Sequence, residues 1–237
     1  MFYFKDLNFI STSAMTGVKN MEYDEYLLNK YISQNISPVL RFYRWKPVTL
    51  SIGRNQNINE IDLEECKKNN IDVVKRPTGG KAVLHQGEIT YSFIGGKKHG
   101  LPDNIFDSYI EISKAIIKGL ELLDNSENKF SIGNNPVNEY TNNSFCFATS
   151  IVTDINYQGK KLVGSAQLRR GDNFLQHGSI LIEQDFKLLE KLFIDKIDTT
   201  NLLNLSEIIK EIDYKKIKEN ILKGFKNHFN IDTINLL

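Results

Sequence analysis

Lys75-Arg76-Pro77-Thr78-Gly79-Gly80-Lys81-Ala82-Val83-Leu84-His85 is the stretch on which the reading of this chain turns. A short strand, Ile71–Lys75, ends in two basic residues, and Pro77 fixes the direction of the chain that follows. The paired glycines let backbone approach a ligand closely. Strand pattern resumes at Ala82–Leu84 and again at Ile89–Ile94. Backbone N–H groups in such a loop can cradle an anion, with Arg76 or Lys81 adding charge. A plain β-turn with basic flanks fits the same residues, and the pattern alone leaves both open.

Working outward, residues 20–32 carry a mostly apolar helical face. Segments 39–45 and 48–52 read as two strands around a turn at Lys46-Pro47, and 60–70 as a helix. Ile105, Tyr109, Ile112, Ile116 and Leu120 recur at three or four residues and predict an amphipathic helix over 104–124. From Phe145 to Glu183 the chain alternates as strand, with a turn expected at Gln158-Gly159-Lys160. Helices are expected at Phe186–Phe193, Ser206–Ile212 and Tyr214–Phe229. Strands in the middle with helices around them imply an α+β fold, a mixed β-sheet flanked by helices. No repeat or Pro/Gly-rich linker divides the chain, so 1–237 is expected to be a single domain.

The composition is that of a globular protein, 41% hydrophobic and 25% charged. Thirty basic against twenty-nine acidic residues leave a net charge of +1, which argues against a nucleic-acid partner. No run approaches the roughly 20 apolar residues of a membrane span, and the N-terminus lacks the layout of a secretory signal. Two cysteines, Cys66 and Cys146, do not make a disulfide framework. A reducing cytoplasm is the expected setting, and no metal site is expected. Cys146 stands between two phenylalanines and Cys66 lies in a helix beside Leu63; by its surroundings alone, each reads as a small buried hydrophobe. His177, next to Gly178, suits a hydrogen-bonding core histidine as well as a base. The small residues Gly164, Ser165 and Ala166 inside a strand suggest close approach of backbone or ligand.

Four ordered segments carry a resemblance. They are Asn20-Met21 with Asp24-Glu25, Arg41–Trp45 through Ser51-Ile52-Gly53, RPTGGKAVLHQGEITYSF from Arg76 to Phe93, and GKKLVGSAQ at 159–167 with LQHGSILI at 175–182. Together they resemble the lipoate–protein ligase and octanoyltransferase family, whose catalytic fold is shared with biotin–protein ligases. The wording is more similar to the LipM-type octanoyltransferases than to the ATP-dependent ligases. That type places a thioester cysteine fifteen positions ahead of a lysine, the separation of Cys146 from Lys161.

The resemblance implies Cys146 as nucleophile and Lys161 as its electrostatic partner, favouring the thiolate and each oxyanion, with backbone N–H groups near Gly164–Ala166 helping. It makes Arg76, Thr78, Gly79, Gly80, Lys81, His85, Gly164, Ser165, Ala166, His177 and Gly178 candidates for lining the acyl site. Phe145, Phe147, Val83 and Leu84 are expected walls of an apolar tunnel, since an eight-carbon chain gains about 0.8 kcal/mol per buried methylene. The implied reaction moves an octanoyl group from octanoyl acyl carrier protein to a lysine of a lipoyl domain, such as glycine-cleavage H protein, without a cofactor. The rival within the family is an ATP-dependent lipoate–protein ligase working through a lipoyl-adenylate, which would need ATP and Mg. One tension remains. A simple hairpin of Ser150–Tyr157 with Lys161–Leu168 puts Lys161 at the turn and Cys146 at the far end, roughly 25 Å away.

Overall fold

A computed structural model describes residues 4–124, 129–133 and 154–237. Two sheets share the chain. The large one contains β1 (Asp6–Ser11), β2 (Val39–Tyr43), β6 (Glu88–Gly96), β7 (Phe130–Ile132), β8 (Ile155–Tyr157), β9 (Lys160–Arg170), β10 (Asn173–Leu181) and β11 (Thr233–Leu236). Their order is β11-β1-β2-β6-β10-β9-β8-β7, with β1 parallel to both neighbours and the other pairs antiparallel. The small sheet holds β3 (Thr49–Ile52), β4 (Asp72–Lys75) and β5 (Val83–His85) in the order β4-β3-β5.

Period-two alternation decides what each sheet face buries. In β6, Ile89, Tyr91 and Phe93 enter the main core together with α3 (Ile105–Asp124) and α5 (Tyr214–Phe229). Ile94 of the same strand packs instead with Leu27, Leu28 and Tyr31 of α1 (Gly17–Gln34) on the opposite face. The small sheet has its own core, where Leu50, Ile52 and Leu84 meet Cys66 of α2 (Leu63–Lys68) and Leu189 of α4 (Phe186–Lys191). Caps fix the helix starts: Thr16, Asp62, Asp185 and Asp213 each accept a first-turn backbone N–H.

Several expectations change. The segments at 39–45 and 48–52 are not a hairpin, because β2 is flanked on both edges by β1 and β6 and has no edge left for β3. The helix expected over Ser206–Ile212 is a single 3₁₀ turn at Leu205–Glu207. The apolar tail is a strand, β11, and β1 and β7 carry no alternation long enough to have marked them. The turn at Gln158-Gly159 does join two strands, with φ of 48° and 83° at the two residues, as hairpin turns of matching twist require.

Candidate active site

Arg41, Thr90, Ser92, His177 and Ser179 are polar side chains buried on strands of the large sheet. They stand where that sheet meets α1 and the small sheet. The anchor of this region is Asp24 on α1. Arg41 donates to its Oδ1 at 2.7 Å, with neither side chain exposed, and Ser92 donates to the same oxygen at 2.8 Å. The Tyr43 hydroxyl donates to Oδ2 at 2.8 Å. Burial pushes the Asp24 carboxyl up, but the His177 hydrogen bond and the Arg41 guanidinium outweigh it and hold it below the usual range. The same burial, with Asp24 adjacent, raises the Tyr43 phenol well above its ordinary value.

Between the two sheets lies a cavity with about 360 Å³ of space between protein atoms, part of it open to solvent. Ser51, Val83 and His85 of the small sheet line it, facing Gly164, Ser165, Ala166, His177, Gly178 and Ser179 of β9 and β10; Arg76, Tyr43, Trp45, Thr90 and Met21 complete the wall. Gly178 is required where it stands. A Cβ there would sit 2.6 Å from the Gly164 carbonyl and 2.7 Å from the Tyr91 ring.

Arg76 heads two hydrogen-bonded chains along this wall. Its Nε donates to Thr78 Oγ1 at 3.1 Å, Thr78 Oγ1 lies 2.7 Å from His177 Nε2, and His177 Nδ1 lies 3.4 Å from Asp24 Oδ2. Its Nη1 donates to Ser51 Oγ at 3.3 Å, Ser51 Oγ lies 2.8 Å from His85 Nε2, and His85 Nδ1 lies 3.3 Å from Glu88 Oε1. A guanidinium only donates and a carboxylate only accepts. Each hydroxyl hydrogen is then free to reach Nε2, and each Nδ1 faces its carboxylate. His85 Nδ1 also lies 3.3 Å from Ser179 Oγ, so a hydrogen there faces both that hydroxyl and Glu88. Trp45 stacks flat on His85, 3.8 Å between centroids, and donates to Thr90, which in turn donates to Glu88. Burial lowers the His85 pKa, and Glu88 offsets only part of that effect.

Arg76, His85, Gly164, Ser165, Ala166, His177 and Gly178 thus line one cavity, and Thr78 stands behind His177. Gly79 and Lys81 present their carbonyls to Arg76 Nη2 at 2.7 and 2.6 Å. The Gly80 carbonyl packs so tightly on Gly53 that a Cβ there would be 1.8 Å away. Val83 lines the cavity, whereas Leu84, one residue on, faces the core of the small sheet. That corrects its expected place as a wall, since neighbours on a strand point to opposite faces. Cys66 is buried and its thiol is pushed up to about 11 by burial and the nearby Asp62, which fits a core residue. Cys146, Phe145 and Phe147 lie outside the described residues.

Lys161, three residues before Gly164 on β9, is buried, and its Nζ pairs with Asp154 Oδ2 at 2.6 Å. β8 covers β9 only as far as Val163. Among the described residues no strand pairs the outer edge of Gly164–Ala166, where the antiparallel pattern turns part of the backbone N–H groups away from β10. Among the same residues no group of three or more His, Cys, Asp or Glu is placed to hold a metal. No helix there is long and apolar enough to cross a membrane.

The reading of motifs did not single out Asp24, Arg41, Ser51, Glu88, Thr90 or Asp154 as site residues. The alternation Glu88-Ile-Thr90-Tyr-Ser92 does announce a polar face, but a polar face ordinarily means solvent; only the fold buries it.

The Lipoyl protein ligase A/B catalytic domain family matches residues 16–226. Octanoyltransferase LipM of Carboxydothermus hydrogenoformans is 37% identical over 239 residues, covering 95% of this chain and 87% of that protein. Octanoyltransferase LipM of Clostridioides difficile is 35% identical over 240 residues, covering 95% and 88%. The bi-partite lipoate protein ligase of Thermoplasma acidophilum, studied with its E2 lipoyl domain, superimposes with a TM-score of 0.75 over 98% of this chain and 87% of that one, at 20% identity. The chain belongs to the lipoyl protein ligase A/B catalytic domain family. Within it the chain is an acyltransferase, and its function is octanoyl transfer in lipoate biosynthesis.

Proposed function

We propose that Cys146 takes the octanoyl group from octanoyl acyl carrier protein as a thioester and passes it to a lysine amine of a lipoyl domain, such as glycine-cleavage H protein. The observation that supports this most is the buried Lys161–Asp154 pair beside the cavity wall. Asp154 follows Cys146 by eight residues and Lys161 follows it by fifteen, so the pair lies close to the cysteine in sequence.

In this reading Asp154 holds the ammonium in place while offsetting part of its charge. Lys161 favours the Cys146 thiolate, and later the oxyanion of each tetrahedral intermediate. The eight-carbon chain would lie against Val83, Ala166 and the backbone of Gly164 and Gly178. Arg76, Thr78, Gly79, Gly80, Lys81, His85, Ser165 and His177 would shape the polar end. Exchange of thioester for thioester and then for amide needs neither ATP nor Mg, and a reducing cytoplasm suits a free thiol.

Intact mass after incubation with octanoyl carrier protein tests it. The expected result is one added octanoyl group on the wild-type chain, none on Cys146→Ala, and loss of transfer in that variant. Full activity of Cys146→Ala with ATP and free lipoate would sink the thioester reading in favour of the ligase.

A further inference from the structure

We propose that Ser51, His85 and Glu88 form a proton relay that receives the proton of the acceptor amine during amide formation. The proposal rests on the reading above that the acceptor is a lysine, but not on which sulfur carries the acyl group. A lysine ammonium cannot attack a carbonyl until it has lost a proton, because its lone pair is occupied. Its ordinary pKa near 10.4 leaves it protonated at neutral pH. A group at the reacting end of the cavity must take that proton.

Both Ser51 and His85 line the cavity, whereas in the parallel chain the hydroxyl of Thr78 lies behind the wall. The direction of the relay is fixed. Arg76 donates to Ser51 Oγ, so the serine hydrogen goes to His85 Nε2, and the second lone pair of Oγ remains for an amine hydrogen. Thr90 donates to both Glu88 oxygens at 2.8 and 2.9 Å, and Trp45 stacks on the His85 ring. The base is therefore held in one orientation. The charged and titratable groups facing His85 are Glu88, Arg76 and His177. Burial keeps the imidazole neutral at rest, as an acceptor must be.

The step balances. The ammonium passes a proton to Ser51 Oγ as the serine's own hydrogen moves to His85 Nε2. The amine lone pair forms the C–N bond, and the C–S bond breaks with its pair on sulfur. The second nitrogen proton ends on that sulfur, and His85 returns its proton to water.

The test compares two acceptors for one octanoyl thioester donor: the lipoyl-domain lysine and a small thiol, N-acetylcysteamine, whose attack needs no ammonium to be deprotonated. Ser51→Ala, His85→Gln and Glu88→Gln are each expected to lower the ratio of amine to thiol transfer, by about 100-fold or more for His85→Gln, the scale of general base catalysis. His85→Gln should also remove an inflection from the pH profile of amine transfer. Ser51→Thr, which keeps the hydroxyl, should restore the ratio. If His85→Gln fails to fold, the Ser51→Ala and Ser51→Thr pair decides the matter alone. An unchanged ratio with amide still formed overturns the relay only; no amide from the wild type overturns the acceptor reading and the relay with it.

Discussion

His85, His99 and His228 share one circumstance: burial lowers the pKa of each below 6.5. The unfolded chain then binds more protons than the folded one as pH falls through 6.5. The stability each contributes is fully present above that value and is lost from there down to the folded-state pKa. Asp24, depressed below 3.8, acts in the same direction further into acid. The urea midpoint is therefore expected to fall between pH 7 and pH 5 with an unchanged slope; a midpoint that stays level or rises contradicts these directions. At this scale the sequence was legible where a residue type has few uses. The Gly79-Gly80 loop and His177 stood out, whereas Asp24 and Arg41, though quoted within the motifs, drew no role. Their partnership joins residues 17 positions apart, which no local pattern reveals.

β9 and β10 form the large-sheet side of the cavity, and their close approach depends on Gly178. Gly178→Ala places a methyl against the backbone of β9, which cannot rotate away. A loss of about 1–3 kcal/mol is expected, read as a lower denaturation midpoint together with slower octanoyl transfer. Gly79→Ala is the contrasting case, since a Cβ there meets nothing within 4 Å. Its midpoint should stay within about 0.5 kcal/mol of the wild type. Equal losses in the two variants would refute the packing account. Elements with a strong period, such as α3 and α5, were readable to within a residue or two. β7, β11 and the 3₁₀ turn at Leu205 were not, because three or four residues give no period to detect and their form comes from neighbours already in place.

Taken whole, the chain closes on itself at β1, whose outer edge is covered by β11. Asp232 and Thr233 donate to the Lys5 carbonyl, and Leu237 donates to Phe9. Removing residues 232–237 strips several bonds of about 1 kcal/mol each and bares a strand edge. Such a truncation is expected to melt lower and to scatter light on standing, and unchanged behaviour in both assays would contradict this. The α+β class followed from the order of elements, but the division into two sheets did not. It depends on which strand edges are free, a property of the assembled molecule.

The cavity between those sheets has one more consequence. Among the described residues, no buried side-chain atom left without a hydrogen-bond partner lies on its wall. A trapped water molecule needs two to four polar partners to be held, and here the hydroxyls and imidazoles are already engaged with one another. Under the proposed mechanism, an acyl thioester held in this space would meet side chains already engaged with one another, which leaves few of them to fix an attacking water.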